Sequence, residues 1–377
     1  MKFILIGLLL RLFVAIWNGF YGPSPGADAD AILFHEVAVE FSRFGLFDTK
    51  YAIGWVYSIF LGSIYFLTID SIFMGSLISC LAWFFSAIFL DKTIKLLGVN
   101  KKQRDLALLV YAIIPSSILF TSVTLREVYQ LLFINLLIYS SLRILLMQKI
   151  KSWFIVLISG LGMGVLHFGL VLYAILGAIL TFYFTSIKGG RIFSLELIIF
   201  YIPFVILLGA AGSSLFVEIV PFDFSKGIAS AVQAYQAGHN EARAMYTLKP
   251  EIDGLFGLLL FMPVSLGQYM LEPMPWKIAT FLDMALFVEN IFRVLLIFLA
   301  LRSISKVKNE LKPTLIFLTI MFFALELLWA VGTVNWGSAA RHHIPGMGLL
   351  VIIGLCFIDK TLHSTSMIRI SRKIKKI

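Results

Sequence analysis

Apolar residues run through this chain in long blocks, and the polar positions between them are short and clustered. A helix needs about 20 largely apolar residues to cross a bilayer. Ten blocks reach or approach that length: 2–21, 71–90, 106–123, 128–147, 153–167, 169–187, 194–215, 278–301, 313–332 and 344–359. Two further apolar stretches, 52–69 and 255–271, stand apart. Counting either alone as a span breaks the alternation of charge between successive loops. They are therefore expected to enter and leave on one face, as re-entrant or interfacial helices covered by protein or lining a cavity. The pattern predicts an all-α, polytopic membrane bundle of about ten spans. It forms a single integral membrane domain over 1–377, with a first outer loop at 22–70 that carries interfacial helices and a long outer loop at 216–277. There is no convincing internal repeat. Gly160, Gly162 and Gly164 give the fifth span a small-residue face suited to close helix packing.

Composition agrees. Of 377 residues, 60% are hydrophobic and 14% charged, whereas soluble domains carry about 25% charged residues. The mean hydropathy is +0.94. The net charge of +10 does not imply nucleic acid, because the basic residues sit in short clusters between apolar blocks. With ten spans, the clusters around Lys92–Arg104, Lys149/Lys151, Lys188/Arg191, Arg302–Lys312 and Arg369–Lys376 all fall on one side. By the positive-inside rule that side is the cytoplasm, and both termini lie there. Met1–Tyr21 reads as an uncleaved first span. Arg11 interrupts its apolar run, and bulky Trp17, Phe20 and Tyr21 stand where a cleavage site needs small residues. Cys80 and Cys356 lie within apolar blocks and read as small core residues. The Phe, Ile and Lys bias fits a bacterial inner membrane.

The outer face then receives the chemistry-bearing residues. Asp28, Asp30, His35 and Glu36 follow the first span; Arg126 and Glu127 share a tight turn; His167 separates two short spans. The long outer loop carries His239 and Arg243, and Arg341-His342-His343 precede the last span. Each has a plainer alternative. Asp28 and Asp30 suit the cap of a following helix. Arg341 suits a snorkelling interfacial cation, and Arg126 an ion pair with Glu127. His35 suits a structural hydrogen bond. Within spans, Glu289 and Arg293 are four apart and suit a helical pair, while Asp283 and Glu326 suit links between helices.

The order of these features resembles the polytopic GT-C glycosyltransferases. Gly26-Ala-Asp-Ala-Asp30-Ala, with Phe34-His35, Ala38 and Gly45, is similar to their first outer loop, in which an Asp follows the first span and an amphipathic helix lies along the membrane. Gly54–Thr68 resembles their outer-leaflet helix, and Pro115–Glu127 their third span and acidic turn. Gly160–Leu172 resembles the next hairpin, and Asn335–Pro345 the arginine-bearing motif before a late span. A separate soluble C-terminal domain, carried by oligosaccharyltransferases, has no counterpart, and a second metal-binding acid is not identifiable beyond Glu127, by position. The chain looks more like the small bacterial enzymes that decorate or polymerise surface glycans from lipid-linked sugars.

The resemblance implies a polyprenyl-phosphate- or polyprenyl-diphosphate-linked sugar donor and a glycan, lipid or protein acceptor, with inversion at the outward-facing site. Asp30 is then the general base and Asp28 its reserve; two apart on an extended segment, they face the same way. Arg341 is the first phosphate ligand and Arg126 the second, because a guanidinium grips phosphate oxygens bidentately. His342 and His343 are further phosphate donors. His35, Glu127, His167, His239 and Arg243 are other cavity residues. The resemblance fixes no cofactor, and a divalent metal is compatible with Asp28/Asp30. Two other readings use the same features: a repeat-unit polymerase, and, from a different class, a lipid-linked sugar flippase or transporter, which would place its ionisable groups within spans.

Overall fold

The structure, a computed structural model, describes residues 1–25, 28–45, 55–167, 169–189, 232–233, 236, 243–248 and 254–358. In chain order its helices are α1 (Lys2–Phe20), α2 (Asp28–Phe44), α3 (Trp55–Leu67), α4 (Ile72–Leu96), α5 (Lys101–Ile113), α6 (Pro115–Phe120), α7 (Glu127–Met147), α8 (Ser152–Leu166) and α9 (Gly169–Gly189). After the long loop come α10 (Gly254–Leu271), α11 (Phe281–Lys306), α12 (Lys312–Gly332), α13 (Trp336–His342) and α14 (Met347–Leu355). Extended pairing among the described residues is limited to one antiparallel bridge, Met245 with Asn335.

Among the described residues, six helices are long and apolar enough to cross a membrane: α1, α4, α7, the Gly169–Ser186 part of α9, α11 and α12. The stretches 52–69 and 255–271 form α3 and α10, which fall among the shorter apolar helices. Of the remaining expected spans, 194–215 lies outside the described residues, and three form shorter helices than expected. The expected span over 153–167 is α8, of 15 residues, about 22 Å long at 1.5 Å per residue. The one over 344–359 is the nine-residue α14, every residue of which is buried. It is a core helix among α5, α7, α11 and α12, not a lipid-facing one.

The third, 106–123, is broken into α5 and α6 at Ile114. Pro115 lacks an N–H and biases the residue before it away from helical angles. The groups released by the break find partners on other helices. The Ser116 N–H donates to Glu289 Oε1 of α11 at 2.8 Å. The Ala112 carbonyl accepts from Arg11 Nη1 of α1 at 3.0 Å. Arg11, wholly buried, also donates to Thr121 Oγ1 (2.7 Å) and Ser117 Oγ (2.9 Å), and its guanidinium lies 3.6 Å from the Trp83 ring centre. Satisfying a buried charge by several hydrogen bonds is what makes it tolerable inside the bundle. Glu289 therefore does not pair with Arg293; Arg293 donates to Asn290 Oδ1 instead. Beside the break, a cavity of about 560 Å³ lies between α5 and α11, its lining apolar apart from Glu289.

At the opposite side of α1, the chain turns at Gly22, whose φ of +133° suits glycine, and Asn18 Oδ1 holds the returning Ser24 N–H at 2.8 Å. α2 then packs on α3. A Cβ at Gly62 would stand 2.6 Å from the Ala38 carbonyl oxygen, so the close approach of these helices depends on that glycine. Phe34 and Tyr57 meet edge to face across them. This pair of helices places Asp30 beside Arg341 and Phe34 beside Arg126.

Candidate functional site

Residues 28–44 are helical, which corrects the extended reading of Asp28 and Asp30. Two positions apart on a helix means about 200° around the axis, so the two acids stand on different faces. Asp30 forms an ion pair with Arg341, 311 residues away. The Asp30 side chain is 47% exposed and that of Arg341 16%, so the pair sits at the mouth of a partly enclosed site. Arg341 is the penultimate residue of α13, whose start is fixed by Asn335: its side chain accepts from the Ser338 N–H at 2.7 Å.

The contacts continue from there in a closed circuit. His342, next to Arg341, stacks on Trp329 with ring centres 4.3 Å apart, and its Nδ1 lies 2.8 Å from Thr333 Oγ1. Trp329 also meets His167, at 4.6 Å. His167 follows Leu166, whose carbonyl accepts from Arg126 Nη1 at 3.2 Å. The Arg126 guanidinium in turn lies 5.1 Å from the Phe34 ring centre. Phe34 is one helical turn after Asp30 on α2, and so on the same face. Five elements thus contribute to one ring: α2, the N-terminus of α7, the α8–α9 turn, the end of α12, and α13.

Arg126 Nε, His167 Nδ1 and Trp329 Nε1 in the ring are buried without a hydrogen-bond partner. Such groups cost free energy unless water or a ligand meets them. His167 lies in the turn, outside both α8 and α9. Burial first, and the Arg126 charge second, push its imidazole down to about 3. It is a neutral hydrogen-bonding group at ordinary pH. The arrangement can hold an anion with oxygens on more than one side and keep a carboxylate beside it.

The other expected site residues lie elsewhere. His343 is not placed to bind phosphate. It is buried, with Nδ1 2.6 Å from Glu326 Oε2 and Nε2 3.1 Å from the Tyr269 carbonyl. A ring nitrogen facing a carbonyl must donate, so both of its polar atoms serve the protein. Arg126 caps α7 and contacts Leu166 and Phe34, with no ion pair to Glu127 among the described residues. Glu127 is buried in the first turn of α7, where a carboxylate suits the helix dipole; its Oε2 has no hydrogen-bond partner. His35 hydrogen-bonds Tyr65 through Nδ1 at 2.8 Å, and burial lowers its imidazole below the ordinary value against the pull of Asp70 and Glu36.

Arg243 pairs with Asp283 through two contacts, 2.7 and 3.1 Å, and Asp283 also accepts from Trp336 Nε1 at 3.0 Å. With the Tyr246 N–H on the Val334 carbonyl and the Trp336 N–H on the Ala244 carbonyl, this fastens the segment 243–246 to the start of α13. Arg243 therefore supports the helix that carries Arg341 and is not in the ring. Asp283 and Glu326 do link elements. The side chain of Asp28 and all of His239 lie outside the described residues. No cluster of acids, histidines or cysteines fit to hold a metal occurs among the described residues.

Three residues of the ring were not singled out as site residues from the sequence. Trp329 and Thr333 read as the end of a span and Phe34 as the apolar face of α2; only the spacing of Phe34, four after Asp30, hints at its place. In comparisons with known proteins, the chain matches no family model, no curated protein and no solved structure.

Proposed function

We propose that this protein is a GT-C-like membrane glycosyltransferase. It moves a sugar from a polyprenyl-phosphate- or polyprenyl-diphosphate-linked donor to a glycan, lipid or protein acceptor at the outer membrane face, in a bacterial inner membrane with both termini cytoplasmic. The observation that carries this reading is the Asp30–Arg341 pair within a ring that also holds Arg126, His167 and His342. In an inverting transfer Asp30 takes the proton of the acceptor hydroxyl, whose oxygen attacks the anomeric carbon. The bond from that carbon to the phosphate oxygen breaks, and the electron pair leaves on the phosphate. Arg341 and Arg126 stabilise the growing charge, with His342 and neutral His167 as hydrogen-bond donors.

The apolar cavity between α5 and α11 has the character of a seat for a prenyl chain, with α6 between it and α13. The ion pair also means that acceptor activation awaits the donor. Phosphate and Asp30 compete for Arg341, and a donor that displaces the carboxylate leaves it able to accept a proton.

The test is turnover of a radiolabelled polyprenyl-linked sugar by the purified chain in nanodiscs, without any ion gradient. Transfer to an acceptor, or hydrolysis of the donor, supports the enzyme; binding with movement across a vesicle only under a gradient sinks it. That second outcome belongs to a lipid-linked sugar flippase. One observation favours this alternative: the buried Glu326–His343 pair, since ionisable groups held inside a bundle often mark a transport pathway. A repeat-unit polymerase uses the same site and differs in transferring a whole oligosaccharide.

A further inference from the structure

We infer that the site is built for a diphosphate, not a monophosphate; the inference rests on the phosphate-binding reading above and specifies it. The two guanidiniums are attached to the same strip of α2. Arg341 is tied to Asp30 and Arg126 to Phe34, and these positions are four residues apart on one helix. One helical turn, about 5–6 Å, therefore separates the points that anchor the two cations. A single phosphate engages one guanidinium fork fully and leaves the other to solvent or to a bare charge interaction. Two linked phosphates offer each fork its own pair of oxygens, and bidentate contacts of this kind are the strong ones.

The remaining donors fit the same division. Arg126 Nε and His167 Nδ1, both buried without a partner, lie at one end of the ring. His342 lies at the other, beside Arg341. Trp329, stacked on His342 and tilted against His167, fixes the distance between the two halves. A monophosphate at Arg341 would leave the Arg126 Nε and His167 Nδ1 atoms unmet. The second phosphate of a diphosphate answers both. Among the described residues the one carboxylate in the circuit, Asp30, sits on the Arg341 side. The sugar-bearing phosphate, which must lie near the base, belongs at Arg341, and the lipid-bearing phosphate at Arg126.

The experiment uses the full chain in nanodiscs of a zwitterionic lipid and measures binding of four probes by calorimetry or competition. They are inorganic pyrophosphate, orthophosphate, geranyl diphosphate and geranyl monophosphate. Expected is at least tenfold tighter binding of the diphosphate in each pair. A preference in the prenyl pair alone still supports the inference and shows that the apolar chain is needed for binding. Arg126→Ala should cut the preference to threefold or less. Arg126→Lys, which keeps the charge over Phe34 but not the fork, should leave it between those values. Equal affinities within both pairs overturn the diphosphate assignment and leave the phosphate site standing. Failure of all four probes to bind overturns both. A preference that survives undiminished in Arg126→Lys and in Arg126→Ala means that the second phosphate is held elsewhere, and the assignment is again wrong. Should Arg126→Ala not fold, the wild-type comparison and Arg126→Lys still decide.

Discussion

Replacing Asp30 by Asn separates two roles that ordinarily fail together. In the resting site Asp30 is the carboxylate on Arg341, so it competes with the donor for that guanidinium; in the reaction it is the base. Asn keeps the size, loses the charge, and cannot take a proton at neutral pH. Half-exposed Asp30 and mostly enclosed Arg341 place their attraction near the upper end of the range for exposed pairs, about 1 kcal/mol once solvent screening is allowed for. Removing it should tighten donor binding by roughly fivefold, since about 1.4 kcal/mol is a factor of ten. Loss of the base should cut turnover by on the order of a hundredfold or more. The signature is a lower dissociation constant with a collapsed kcat, read by equilibrium binding of the lipid-linked donor and by radiolabelled transfer in the same nanodisc preparation. Weaker or unchanged donor binding in Asp30→Asn would show that the carboxylate does not compete at Arg341. Turnover within tenfold of wild type would remove Asp30 as the base. A variant that loses both binding and turnover together would instead assign the pair a purely structural part.

Other perturbations test the supports of the site. Arg11→Met strips the Thr121, Ser117 and Ala112 partners from the broken α5–α6 segment and should destabilise by about 2–4 kcal/mol; a melting temperature in detergent equal to wild type would show that the break holds without it. Glu326→Gln can still donate to His343 Nδ1, so its stability and turnover should stay near wild type, while Glu326→Ala orphans the ring and should lose about 1–3 kcal/mol. Equal damage from both would mean that the carboxyl proton itself is used, which favours transport. His167 has its folded pKa held near 3, below the unfolded value. Its contribution to stability is therefore complete above about pH 6.5 and lost as pH falls, by up to about 1.4 kcal/mol per unit. His167→Gln should flatten the fall in melting temperature between pH 7 and pH 5; an unchanged slope would show that the imidazole is protonated in the folded protein.

Hydropathy and charge by themselves determined that this is a membrane protein of apolar helices, because period and composition are local quantities that need no knowledge of packing. They also singled out Asp30, Arg126, His167, Arg341 and His342 one at a time, as polar groups costly to keep beside apolar blocks. Apolar content on both sides of Pro115 argued for one span over 106–123. What makes the break tolerable is Arg11 and Glu289, which come from α1 and α11, and no local rule pairs residues so distant. The same reason hid the nature of α14, as apolar as a span and wholly enclosed by other helices. His342 and His343 are adjacent and chemically alike. Tertiary structure alone turned one toward Trp329 in the ring and the other toward Glu326 in the core. The meeting of Asp30 with Arg341 across 311 residues was decided in the same way, since which buried charge finds which partner depends on how the helices are arranged.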